Sequence, residues 1–208
     1  MMEQILLWDR AATLWINQHH HVVLDALLMP VAWFGEAGVG WIVVMLALLI
    51  FGGRRERLVT LVFIGGLLLT EYALMPALRE LWPRQRPHMY LQGIRALGVP
   101  WEKPSFPSAH AHLWTQATIF YGVAYRRWLW PLILLSVITF YSRPYAGMHH
   151  VLDVLGGIGL GGVMGLLELA VAGKLGLLTQ PALADADGPL LLEPASCLPH
   201  TQEAAPPE

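Results

Sequence analysis

Three short polar clusters interrupt an otherwise apolar chain. The first is Arg79-Glu80-Leu81-Trp82-Pro83-Arg84-Gln85-Arg86-Pro87, the second Phe106-Pro107-Ser108-Ala109-His110, and the third Ser142-Arg143 followed by His149 and Asp153. Arg79, Arg86 and Arg143 offer three planar guanidinium forks, which suit the tetrahedral oxygens of a phosphate better than a neutral ligand. His149 and Asp153 stand four apart at the start of an expected helix, so they share one face. A carboxylate in that position can hold the imidazole, fix its tautomer and leave the other ring nitrogen free as nucleophile or base. His110 follows Ser108 and Ala109 at a second expected helix start, where unpaired N–H groups and a hydroxyl can receive phosphate oxygens. His110 can then donate a proton. Attack, charge stabilisation and leaving-group protonation each have a candidate, and together they describe phosphoryl transfer. That inventory calls for no metal and no other cofactor.

These residues must be positioned by membrane helices. The chain has 208 residues, of which 55% are hydrophobic and only 13% charged, against roughly 25% charged in soluble domains. The mean hydropathy is +0.49. A solvated globular surface is therefore excluded, and the composition predicts an all-α, polytopic integral membrane bundle. A formal charge of −2 leaves no broad basic surface for nucleic acid. The single cysteine, Cys197, cannot form an intrachain disulfide. Glu3, Asp9 and Arg10 flank a short apolar stretch unlike a secretory signal, so the N-terminus is expected to be retained.

Five full spans are expected at about 38–53, 58–78, 108–125, 128–142 and 150–172, with six as the alternative. Residues 1–37 form an N-terminal interfacial and re-entrant portion. Within it Ile5, Trp8, Ala12, Trp15 and Ile16 oppose Asp9, Arg10, Thr13 and Asn17 at helical spacing, which suits a helix in the headgroup layer. Residues 38–173 make the transmembrane core. Residues 174–208 are read as a disordered tail, acidic and rich in Pro and Ala. The Lys/Arg count is six on each side. Discounting residues packed into a ligand site puts the Arg54–Arg57 and Arg126–Arg127 links in the cytoplasm and the clusters on the extracytoplasmic side.

The three clusters resemble the tripartite signature of the type 2 phosphatidic acid phosphatase family. That signature is a Lys with Arg-Pro seven residues on, then Pro-Ser-Gly-His, then Ser-Arg with a His six and an Asp ten residues after the Arg. The third motif matches fully through Ser142, Arg143, His149 and Asp153, whereas Arg79 replaces the usual Lys and Ala109 the usual Gly. Arg79 keeps the charge with a different geometry, and Ala109 keeps its N–H but adds a methyl that narrows the phosphate's approach. The resemblance covers roughly residues 14 to 172. It implies that His149 is the nucleophile, Asp153 its orienter and His110 the general acid that later activates water. It also implies phosphate binding by Arg79, Arg86, Ser108, the Ala109 N–H and Arg143, without a divalent metal.

The expected substrate is a lipid phosphate or diphosphate, with a prenyl diphosphate the first choice, in the bacterial inner membrane. Rival readings are an anion or lipid transporter and a catalytically impaired lipid-phosphate-binding relative. Other polar residues have plainer explanations. Three consecutive histidines, His19 to His21, cannot all face one ion on a helix and read as a solvated interfacial tract. His150 lies about 100° around the helix from His149 and is a candidate for the pocket rim or for structure alone. Glu71, within a span, must face protein or the pocket. Glu168 is expected at the interface. Gly157, Gly161 and Gly165 continue the line of His149 and Asp153 and predict close helix packing.

Overall fold

The computed structural model describes residues 1–34, 38–98 and 101–178. Among these the secondary structure is helical: α1 (Met2–Gln18), α2 (Val22–Phe34), α3 (Val39–Phe51), α4 (Arg54–Leu69), α5 (Met75–Leu81), α6 (Pro87–Tyr90), α7 (Ala109–Ala124), α8 (Leu129–Tyr145) and α9 (Val151–Lys174). A π turn, Thr70–Leu74, joins α4 to α5. Pro76 has no N–H for the carbonyl four residues earlier, and the ladder widens to π spacing just before it. The expected acidic tail lies outside the described residues from position 179 onward.

Two helices are long and apolar enough to cross a bilayer unaided: the continuous Arg54–Leu81 rod of 28 residues and α9 of 24. The α2 and α3 helices add a third crossing only if they act together as one span. At 16 and 17 residues, α7 and α8 reach about 24 to 26 Å at 1.5 Å per residue. Helix length therefore does not establish the expected count of five to six. The reason is clearest in α7, which carries His110, His112 and Gln116 and is wrapped by its neighbours instead of presenting a continuous apolar face to lipid.

Around α7 the bundle closes with α8 on one side and α9 on the other. Trp41 of α3, Phe63 of α4 and Trp114, Phe120 and Tyr121 of α7 form an aromatic core, with Trp41 edge-on to Trp114 at 5.1 Å between ring centroids. The glycine line in α9 is the contact surface for α7. A Cβ built at Gly157 would lie 2.4 Å from the Ser108 carbonyl oxygen, and one at Gly161 2.3 Å from that of His112. Small residues let the two backbones approach this closely. Because the obstacle is backbone, Gly161→Ala is expected to cost about 1–3 kcal/mol. Gly159→Ala, with nothing within 4 Å of the added carbon, should be tolerated. Folded yield after heating in detergent, followed by size exclusion, checks the pair.

The first helix is oriented as its amphipathicity requires, but its polar face meets protein instead of headgroups. Asp9, Thr13 and Asn17 are buried, while Trp8 and Trp15 are exposed. Asn17 donates from Nδ2 to the Arg95 and Tyr145 carbonyls at 2.8 and 2.7 Å, and its Oδ1 accepts from Arg95 N at 2.8 Å. The three histidines after it serve the chain turn: His19 Nδ1 pairs with Trp15 O at 2.7 Å, and His21 Nδ1 accepts from Val23 N at 3.2 Å.

A seam of buried polar side chains runs down the bundle. His112 and Gln116 lie one turn apart on α7, and Gln116 Nε2 donates to Glu168 Oε1 of α9 at 2.5 Å. Glu168 is thus buried, not interfacial as expected. It fits because Gly66 of α4 leaves room: a Cβ there would come 2.0 Å from the carboxylate.

Candidate active site

The three clusters converge on one cavity of about 770 Å³. Arg79 enters it from the end of α5, Arg86 from the N-cap of α6, Ala109 and His110 from the first turn of α7, Arg143 from the last turn of α8, and His149 from the turn before α9. Lys103 adds a cation that sequence reasoning did not assign to the site. The opposite end of the same cavity is walled by Trp41, Ile42, Met45 and Leu46 of α3 and by Ile64, Leu67 and Leu68 of α4. Ile42, Leu46 and Leu68 also have exposed surface on the bundle flank.

His149 is held in a defined tautomer. Its Nδ1 lies 2.9 Å from the Ser105 carbonyl oxygen, which can only accept. Its Nε2 lies 3.1 Å from Arg86 Nη1, which can only donate. The proton therefore sits on Nδ1 and the lone pair on Nε2. Burial, helped by the Arg86 and Arg143 charges and opposed by Asp153, pushes the imidazole down to about 4, so it is neutral at pH 7. Arg86 also donates to the Lys103 and Met148 carbonyls at 2.9 and 3.0 Å. The turn that carries His149 depends on Gly147, with φ of 72° and the Arg95 carbonyl oxygen 2.8 Å from where a Cβ would stand. Only glycine meets both conditions without strain.

Asp153 does not hold His149 in the way its spacing suggests. Its Oδ2 is 3.7 Å from His149 Nδ1, beyond hydrogen-bond range. The carboxylate is at the third position of α9 and turns back to its N-terminus, accepting from His150 N at 2.8 Å and facing His150 Nδ1 at 3.2 Å. This is the capping arrangement expected of an acid there. Its other oxygen accepts from Arg84 Nη1 at 2.9 Å. His150 is fully buried, paired also with the Tyr90 hydroxyl at 2.9 Å, so it is structural and not a rim residue.

Ser108 is also behind the cavity wall. It is fully buried at the N-cap of α7, its N–H donates to Asp153 O at 2.9 Å and its hydroxyl accepts from Ala111 N at 3.4 Å. Glu71 lines the cavity from the π turn and stands 3.7 Å from His112 Nδ1. The site-bearing residues that sequence reasoning missed are Lys103, Ser105 and Arg84. Arg84 was visible as a third arginine of the first cluster, whereas Ser105 acts through its carbonyl and left no side-chain signal.

Comparison with known proteins points to one family. Residues 60–176 match the PAP2 superfamily. An undecaprenyl-diphosphatase of Sulfolobus acidocaldarius is 29% identical over 159 residues, 75% of this chain and 74% of that protein. A decaprenylphosphoryl-5-phosphoribose phosphatase of Mycobacterium tuberculosis is 33% identical over 145 residues, 67% of this chain and 76% of that one. The crystal structure of Aquifex aeolicus LpxE superposes with a TM-score of 0.67 at 26% identity, covering 77% of this chain and 93% of that chain. With motif residues from four helix ends gathered in one cavity and the match spanning more than half its length, this chain belongs to the PAP2 superfamily of membrane lipid phosphatases.

Proposed function

We propose that the chain hydrolyses the terminal phosphate of a polyprenyl-anchored phosphate or diphosphate through a phosphohistidine intermediate. One observation carries the reading: a single cavity is cationic and imidazole-bearing at one end and apolar at the other. A lipid phosphate is amphipathic in the same sense, and the exposed flank of α3 and α4 gives its tail a lateral way in. The named relatives act on undecaprenyl and decaprenyl lipids, which supports a prenyl tail.

The chemistry follows from the positions of the side chains. An arriving phosphate accepts the Arg86 and Arg143 donors, with Arg79 and Lys103 nearby. Arg86 thereby releases the His149 Nε2 lone pair, which attacks phosphorus. The phosphorus–oxygen bond to the lipid breaks and His110 protonates the departing oxygen. In the second half His110 takes a proton from water, the hydroxide attacks phosphorus and the phosphorus–nitrogen bond breaks. Ser108 and Asp153 fix the starts of α7 and α9, and Ala109 lines the cavity.

Below the cavity the buried seam of His112, Gln116 and Glu168 contains no Lys or Arg, so it does not extend the arginines into an anion pathway. That favours an enzyme over an anion transporter. The test is phosphate release by the purified chain in detergent, with EDTA present, across a panel of prenyl diphosphates, prenyl phosphates and phosphatidic acid. Release from at least one is the expected result, and release from none of them overturns the reading.

A further inference from the structure

We propose that Asp9, acting through Arg84, is a positioning residue for His149, so that the first helix, α1, is a working part of the catalytic site. The proposal rests on the reading of His149 as nucleophile.

Arg84 reaches the nucleophile by two routes. Its side chain bridges two buried carboxylates, Asp9 of α1 and Asp153 of α9, the latter at 2.9 Å. Its carbonyl accepts from Ser105 N at 2.8 Å and from Ser105 Oγ at 3.2 Å. Ser105 O in turn takes the Nδ1 proton of His149. Arg84 therefore fixes both the acceptor that sets the His149 tautomer and the acid that caps the next helix.

Asp9 is the buried carboxylate of α1, whereas Glu3 is exposed, and the second Asp9 oxygen accepts from Leu152 N at 2.9 Å. Thr13, one turn on, accepts from Val151 N at 3.3 Å. Val151 and Leu152 open α9, where N–H groups have no partner inside the helix. The first helix thus caps the ninth in trans, two residues after His149. A neutral residue 9 would leave Arg84 shared with Asp153 alone. With one of its two anchors gone, Arg84 would hold Asp153 less firmly, and a shift of the Arg84 main chain would carry Ser105, which is bonded to the Arg84 carbonyl. A displacement of about 1 Å at a reacting group costs on the order of 100-fold in rate.

The test uses the full chain in detergent micelles with farnesyl diphosphate as probe, measuring kcat, KM and the rate of phosphoenzyme formation. Asp9→Asn is expected to lower kcat and phosphoenzyme formation about 10- to 100-fold while KM stays within about two-fold. Asn17→Ala loosens α1 without touching the carboxylate–guanidinium chain, and its kcat should stay within about three-fold of wild type. Combining Asp9→Asn with Arg84→Lys should lower kcat no further than the worse single change, because both cut one chain. Should Asp9→Asn fail to fold, Arg84→Lys alone carries the same comparison with Asn17→Ala.

Wild-type kcat in Asp9→Asn overturns the proposal, as does an equal fall in Asn17→Ala, which would make docking of α1 the only cause. His149→Ala is run alongside. If it keeps its activity, or if wild type turns over neither this probe nor any other member of the lipid panel, the nucleophile reading itself fails. If it loses activity while Asp9→Asn does not, only the positioning role fails.

Discussion

Replacing His149 with alanine is expected to reduce phosphate release by about four orders of magnitude or more, the scale on which nucleophile removal acts in covalent catalysis. The prediction follows from three observations that constrain one atom. The Ser105 carbonyl holds the proton on Nδ1, Arg86 points a donor at Nε2, and burial with two neighbouring guanidiniums keeps the ring neutral. Brief incubation of wild type with a terminally labelled prenyl diphosphate, followed by quenching in base, should trap label on the protein. That label should be released by acid, as a phosphorus–nitrogen bond requires, and should be missing from His149→Ala. More than a few percent of wild-type turnover in the variant, on every lipid phosphate tested, would remove the phosphohistidine from the mechanism while leaving the family assignment intact.

The gathering of the motif residues was legible because only 13% of the chain is charged and each arginine or histidine near a helix end is conspicuous. Arg79, Arg86, His110, Arg143 and His149 all reach the cavity that their spacing predicts. Their local roles were less legible. The four-residue spacing of His149 and Asp153 predicts one shared helix face, but His149 lies in the turn before α9, and helix starts leave N–H groups that a nearby carboxylate satisfies first. Asp153 was drawn to His150 N, and a main-chain carbonyl, which no side-chain pattern announces, took its place beside His149.

Two polar features pack differently from their patterns for one cause. Periodicity identifies a polar stripe but not what the stripe faces. On α1 that stripe packs against the first turn of α9 and the end of α8, not against headgroups or water. On α9, Glu168 was read as interfacial from its position near the helix end, yet Gln116 and the space left by Gly66 bury it. Helix length leaves the expected span count unconfirmed for a related reason. A helix surrounded by protein, such as α7, can carry His112 and Gln116 without meeting lipid, so its length and hydropathy do not decide whether it crosses. The glycine line fared better, because small residues at four-residue intervals have few uses other than close helix contact.

Arg86→Gln should shift the pH profile as well as lower the rate. Arg86 is one of the two positive charges that depress the His149 pKa, after burial. A depressed histidine is neutral, and so able to attack, at every pH above about 4. In wild type, kcat/KM is therefore lost only as the pH falls through that value. Removing the Arg86 charge raises the His149 pKa toward its ordinary value near 6.5, and the acid limb must move to higher pH, not lower. Loss of one preorganised donor to the transferring phosphoryl group should also lower kcat/KM by about 100- to 1,000-fold at neutral pH. Arg86→Lys separates the two effects, since it keeps the charge and so the position of the acid limb, but loses the fork and with it much of the rate. Because the lipid phosphate titrates as well, the quantity to measure is the ratio of variant to wild-type kcat/KM on one substrate, from pH 4 to 8. That ratio should fall steadily toward acid for Arg86→Gln and stay level for Arg86→Lys. A level ratio for both variants would mean that the Arg86 charge does not reach His149 Nε2 in the working enzyme.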